Sequence, residues 1–238
     1  MKTSINRVPK LARHADVSFL SRFRTAISRF VRDAFRNRLH STPLQEGLPP
    51  DNGAAGRFLV RNRPRSSKLI SAALRIGRIF RPSQFIARSY ANEPGKRDYM
   101  LFVPSAYAGQ PLPLIVMLHG CKQDPQDFAT GTRMNELAEE NDCLVVYPAQ
   151  SSFANRSLCW NWFKSADQQR DRGEPAIIAG ITTQVMSDYQ VDPRQVYIAG
   201  LSAGGSMAVI MGHTYSDLYA AVGVHSGLAY GRAKSPAI

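Results

Sequence analysis

Val196-Tyr197-Ile198-Ala199-Gly200-Leu201-Ser202-Ala203-Gly204-Gly205 is the stretch from which the rest of this 238-residue chain is read. A short apolar, partly β-branched run leads into a serine set between glycines. A second apolar run, Ser206-Met207-Ala208-Val209-Ile210-Met211, leads away from it. The order predicts a buried strand, a tight turn and a helix, with the G-x-S-x-G pattern on the turn. A serine on such a strained corner has its hydroxyl pushed out to where a substrate can reach it, so Ser202 is a candidate nucleophile. A side chain at Gly200 or Gly204 would collide with the neighbouring strand or helix at so sharp a bend. The backbone N–H of Ala203 would point at the same spot as the serine oxygen, as half of an oxyanion hole. Small residues in a strand-to-helix loop are common without any chemistry. The flanking strand and helix are the context that favours the catalytic reading here.

Upstream, Leu114-Ile115-Val116-Met117-Leu118 is a continuous apolar run of strand length, as a buried parallel strand should be. Leu144-Val145-Val146-Tyr147 reads as another, and Ala220-Ala221-Val222-Gly223-Val224 as one more after the turn. Strands are also expected around Phe85–Tyr90 and over Arg97–Val103, and helices over 133–141 and 176–189. Residues 149–174 form a long polar loop around Cys159-Trp160-Asn161-Trp162-Phe163. Strands alternating with helices predict an α/β fold with a mostly parallel sheet.

Charge divides the chain. Residues 1–97 hold 21 Lys and Arg against 5 Asp and Glu, whereas 98–238 hold 9 against 13. The whole basic excess therefore lies in the first part, and we place a basic extension at 1–83 and the folded domain at 84–238. The acidic remainder argues against a nucleic-acid-binding surface. Within the extension, Phe19, Leu20, Phe23, Ile27, Phe30, Val31 and Ala34 fall on one helical face, with Arg22, Arg29, Arg32 and Arg36 around it. Residues 17–39 thus suit either contact with an anionic membrane surface or packing on the domain. Residues 41–67, rich in Pro, Gly and Arg, read as a linker. Residues 68–80 repeat the basic amphipathic pattern, for nucleic-acid or lipid contact or simply as a solvated face. The arginines interrupt every apolar stretch near the N-terminus, so the shape is not that of a secretory signal. No apolar run approaches the length of a membrane span.

Three cysteines are too few for a disulfide scaffold. Cys143 heads an apolar run and reads as a packing residue. Cys121 and Cys159 lie in loops and are open to pairing in an oxidising compartment. His119 and the cysteines lack paired ligand spacing, so neither metal nor cofactor is expected.

Leu118-His119-Gly120-Cys121, Gly131-Thr132-Arg133-Met134-Asn135, Tyr147-Pro148, Cys159-Trp160-Asn161-Trp162-Phe163, Gly200-Leu201-Ser202-Ala203-Gly204-Gly205 and Val224-His225-Ser226-Gly227 fall in one order. Together they resemble the poly(3-hydroxybutyrate) depolymerase-like esterase family over residues 98–238. The resemblance implies an α/β-hydrolase fold, a mostly parallel sheet with helices on both faces. It also implies serine hydrolysis of polyhydroxyalkanoate, feruloyl or acetyl esters, and an extracellular location, with a cytoplasmic one as the alternative. By it, Ser202 is the nucleophile, and the N–H of Cys121 joins that of Ala203 in the oxyanion hole. Trp160 and Trp162 match an aromatic loop beside the family's site, where they either bind the acyl group or fill the gap beneath the loop. His119 precedes the serine, whereas this fold places its base last, so His119 is expected to hold the loop instead.

The triad order on this fold is Ser, then Asp or Glu, then His. After Ser202 the sequence offers Asp217, His213 and His225. Asp217 is expected at the wrong end of its strand and His213 at the far end of the helix. His225 matches a family segment that is not the base. The expectation is an esterase domain cut before its acid and base, with a non-catalytic remnant or a surface-binding module as the alternatives.

Overall fold

A computed structural model describes residues 17–36 and 81–231. The linker and the second basic segment, 41–80, lie outside the described residues, as do 37–39. In chain order the elements are α1 (Val17–Arg36), β1 (Gln84–Asn92), β2 (Gly95–Val103), β3 (Leu112–Leu118), α2 (Pro125–Thr132), α3 (Met134–Glu140) and β4 (Leu144–Pro148). A 3-10 turn (Ser165–Gln168), α4 (Gly173–Asp188), β5 (Val191–Leu201), α5 (Ala203–Thr214) and β6 (Ala221–His225) follow.

The six strands form one sheet in the order β1-β2-β4-β3-β5-β6. β4, β3, β5 and β6 run parallel, and the β1–β2 hairpin adds antiparallel at one edge. The α/β architecture read from the alternation of strands and helices is the one observed.

Every residue of β3 and β4 is buried, because helices cover both faces. Alternate residues feed two cores. Leu114, Val116, Leu118, Leu144, Val146, Val196 and Ile198 point to the α4/α5 side. Ile115, Met117, Val145, Tyr147, Tyr197, Ala199 and Leu201 point to the side of α1, α2 and α3. Each Leu, Ile, Val or Met among them contributes about 1.5–3 kcal/mol by leaving water. Cys143 is fully buried in the second core, and burial pushes its thiol pKa up.

The structure decides one open alternative of the sequence reading and adds one element to it. First, of the two readings of residues 17–39, α1 takes packing on the domain. Ile27 and Val31 are buried in the second core, and the Phe30 ring lies 6.1 Å from that of Tyr197, edge to face. Of the apolar face proposed for an anionic membrane surface in residues 17–39, Ile27 and Val31 are covered by protein and Phe30 is half-buried, while Arg22, Arg29 and Arg32 face outward. Among the described residues no helix is long and apolar enough to cross a membrane. Second, α2 was not expected. Its signal is Asp124-Pro125-Gln126-Asp127: the Asp124 carboxylate accepts from the Asp127 N–H at 2.8 Å, and Pro125 opens the helix.

The connections put the site at one place. From β3 the chain goes to β4 on one side, and from β4 it crosses over β3 to β5 on the other. The loops leaving the C-terminal ends of β3 and β5 therefore diverge, and the crevice between them is the topological switch point where open α/β sheets bind ligands.

Candidate active site

Ser202 occupies that point. β5 ends at Leu201 and α5 begins at Ala203, so the serine alone makes the corner. Its backbone sits at φ 55° and ψ −119°, which a residue with a Cβ adopts only at a cost of about 1–3 kcal/mol. Surrounding contacts hold it there. The Ser202 N–H donates to the carbonyl of His225 at 2.9 Å, and its own carbonyl accepts from the Ser206 N–H at 3.0 Å. The side chain stands exposed while Ala203, Gly204, Gly205 and Ser206 are buried.

The glycines act as the bend requires. A Cβ at Gly204 would lie 2.2 Å from the Leu118 carbonyl oxygen, so α5 begins in backbone contact with the end of β3. A Cβ at Gly205 would come within 3.2 Å of the Gly227 Cα, and the Leu228 N–H donates to Ser206 Oγ at 2.9 Å. The segment after β6 is thereby laid along α5.

The loop after β3 reaches the elbow directly. A Cβ at Gly120 would stand 3.7 Å from the Ser202 Cβ. The Gly120 N–H donates to Gln123 Oε1 at 3.0 Å and that of Lys122 to the Ser157 carbonyl at 2.7 Å. Between them, the Cys121 N–H has no acceptor among the described residues. The Ala203 N–H is the first of α5 and has no acceptor within its helix. The two expected oxyanion donors are thus both uncommitted.

Cys121 and Cys159 are joined in a disulfide, with Cα atoms 4.2 Å apart. The bond ties the loop after β3 to the long loop after β4. His119 is buried and takes no part as a base. The Gln150 N–H donates to its Nε2 at 3.1 Å, and its Nδ1 donates to the Gly120 carbonyl at 2.8 Å. Both ring nitrogens are used, and burial lowers the pKa so that the neutral ring persists.

The two tryptophans part company. Trp160 is fully buried, its ring 5.5 Å from that of His119. It offers no surface to a substrate, so the substrate-contact reading of Trp160 is corrected to packing beneath the loop. Trp162 is half-buried and lines a narrow crevice with Ser206, Ile210 and Leu228, beside the elbow helix.

Of the remaining candidates, Asp217 and His213 stand apart from the nucleophile, while His225 adjoins it through its backbone. Asp217 precedes β6 at the opposite end of the sheet and pairs with Arg170 at 2.6 Å. The His213 ring lies 4.1 Å from that of Tyr230 near the C-terminus of α5. His225 ends β6, gives its carbonyl to the elbow, and has Nδ1 3.1 Å from Ser226 Oγ. Among the described residues no cluster of three or more His, Cys, Asp or Glu could hold a metal ion.

Sequence reading missed the buried polar cluster under the two loops. Glu174, Arg97, Gln150, Asn161 and Asp167 are all buried and mutually bonded. Their only sequence signal is an acid opening a helix, at Gly173-Glu174.

Residues 97–238 match the family model described as "Esterase PHB depolymerase". The chain is 34% identical over 143 residues to "Poly(3-hydroxyalkanoate) depolymerase C" of Paucimonas lemoignei, covering 60% of this chain and 34% of that protein. It is 31% identical over 144 residues to "Probable acetylxylan esterase A" of Neosartorya fischeri, covering 60% and 38%. With "Feruloyl esterase B" of Neurospora crassa it shares 27% over 143 residues, covering 60% and 48%. The chain thus spans between a third and a half of the length of these relatives. Among solved structures, "Acetyl xylan esterase from Aspergillus awamori" superposes with a TM-score of 0.56 at 26% identity, covering 63% of this chain and 53% of that one.

Proposed function

This chain belongs to the esterase PHB depolymerase family, and from that membership we propose that it is a carboxylic ester hydrolase with Ser202 as its nucleophile. The observation that carries the reading is the elbow itself: an exposed serine at positive φ, between two uncommitted N–H groups at the switch point of the sheet. In the proposed step Ser202 Oγ bonds to the ester carbonyl carbon as its proton passes to solvent. The carbonyl oxygen becomes an oxyanion that accepts from the Ala203 and Cys121 N–H groups. Collapse breaks the ester C–O bond, and the leaving oxygen takes a proton from solvent to depart as the alcohol. Water then adds to the acyl carbon, the acyl–Oγ bond breaks, and the acid leaves as Ser202 regains its proton. Each preorganised donor contributes about 3 kcal/mol in a site that excludes water.

The substrate class is that of the relatives, a polyhydroxyalkanoate, acetyl or feruloyl ester, and Trp162 is the ring on the acyl side. The Cys121–Cys159 bond supports an extracellular or otherwise oxidising setting. His119 is committed to the loop and His213 stacks on Tyr230, so neither is the group that takes the Ser202 proton.

The test is hydrolysis of p-nitrophenyl butyrate by the purified chain and by Ser202→Ala, with mass spectrometry for a butyryl group on Ser202. Serine-dependent release of nitrophenol with an adduct on Ser202 is expected. Equal rates in both proteins and no adduct would sink the assignment.

A further inference from the structure

Beneath the two loops that meet at Ser202 lies a carboxylate that the reaction chemistry does not use. Glu174 is 3% exposed, in the first turn of α4. Its Oε1 accepts from Gln150 Nε2 at 2.5 Å, Asn161 Nδ2 at 2.8 Å and Arg97 Nη2 at 3.3 Å, and its Oε2 accepts from the Asn161 N–H at 2.7 Å. Burial pushes the Glu174 pKa up, while every contact to the carboxylate is a donor and favours the ionised form.

From Glu174 a chain of contacts leads to the oxyanion loop. Gln150 is fixed at both ends of its amide: Nε2 donates to Glu174 and to the Cys159 carbonyl at 2.8 Å, and Oε1 accepts from Arg97 Nε at 3.0 Å. Held there, its backbone N–H donates to His119 Nε2. That contact makes Nε2 the bare nitrogen and puts the ring proton on Nδ1, which donates to the Gly120 carbonyl.

The Gly120 carbonyl and the Cys121 N–H belong to one peptide unit. The unit is planar and trans, so its C=O and N–H point in opposite directions. Drawing the oxygen onto the buried His119 ring therefore turns the Cys121 N–H outward. A second arm acts on the same residue. Both carboxylate oxygens of Glu174 hold Asn161, two positions from Cys159, whose sulfur is bonded to Cys121.

We propose that Glu174 is a positioning residue: through Gln150 and His119 on one arm and Asn161 and Cys159 on the other, it aims the Cys121 N–H at the Ser202 oxyanion. The proposal rests on Ser202 being the nucleophile.

The probe is phenylboronic acid. Its boron takes Ser202 Oγ as a fourth ligand: the Oγ–B bond forms, the hydroxyl proton passes to solvent, and a tetrahedral boronate anion sets an oxygen in the oxyanion position. Titrations of the wild type, Ser202→Ala and Glu174→Gln are followed by ¹¹B NMR at 25 °C, with thermal melts alongside. The wild type is expected to bind and Ser202→Ala not to bind. Glu174→Gln is expected to bind about tenfold to a hundredfold more weakly while still folded, less than the roughly 10²–10³-fold that removal of one oxyanion donor costs, because the Cys121 N–H is misaimed and not removed. Affinity unchanged in folded Glu174→Gln, with only its melting temperature lowered, would make Glu174 purely structural and overturn the proposal. Absence of serine-dependent binding in the wild type would instead overturn the nucleophile assignment. Should Glu174→Gln not fold, Gln150→Met carries the same expectation, because it removes the links to Glu174 and Cys159 and keeps the amide to His119.

Discussion

A Cβ placed on Gly200 would lie 2.1 Å from the carbonyl oxygen of Gly204. The last turn of β5 and the first turn of α5 are therefore in backbone contact, and no side-chain adjustment can make room. Gly200→Ala and Gly204→Ala are each expected to cost about 3 kcal/mol or more, in the range of overpacked cores and strained backbone. Urea denaturation of the purified variants reads this directly. A loss under 1 kcal/mol would mean the elbow is looser than described.

The disulfide closes a span of 38 residues. Loop-closure entropy for that length corresponds to about 4 kcal/mol. Cys159→Ser, or reduction by a dithiol, should lower the urea midpoint accordingly. Equal midpoints with and without reductant would show that the pair does not form in solution.

His119 confers acid sensitivity. Its native pKa is lowered by burial from an ordinary value of 6.5, so below about pH 6.5 the unfolded chain binds a proton that the native ring refuses. Stability from this group is full above pH 6.5 and falls as the pH drops toward the native pKa, at up to about 1.4 kcal/mol per pH unit. His119→Asn removes that slope. The gap in melting temperature between wild type and variant should narrow from pH 7.5 to pH 5. A constant gap would contradict the neutral, doubly bonded ring.

Val31 tests whether α1 belongs to the domain. It is fully buried in the second core. Val31→Asp places an unpaired charge there and should destabilise by about 3 kcal/mol or more. The exposed change Arg32→Asp should fall within about 0.5 kcal/mol of wild type. A Val31→Asp melt indistinguishable from wild type would show that the helix does not dock.

The fold was legible because period-2 burial and long apolar runs encode strands locally. β3 and β4, buried throughout, read as such from Leu114–Leu118 and Leu144–Tyr147 alone. The elbow was legible because a single sharp bend admits few residue types. Trp160 and Trp162 were not separable, since burial of one ring and half-exposure of the other depend on what folds beneath the loop. Glu174 was invisible for a related reason. Its partners Arg97, Gln150 and Asn161 are 77, 24 and 13 residues away and converge only in three dimensions. The apolar face of α1 was seen, but its partner, the face carrying Tyr197 and Gly223, could not be.

Because Ile27 and Val31 lie inside the protein, helix α1 is amphipathic toward its own domain. Inserting that face into a bilayer and keeping it on the sheet are mutually exclusive states of one helix. Any lipid that captured it would have to strip a cover from β5 and β6. Its grip would be weakened by the full free energy of that undocking, and each mutation that loosens the docked helix would strengthen the lipid's hold by the same amount.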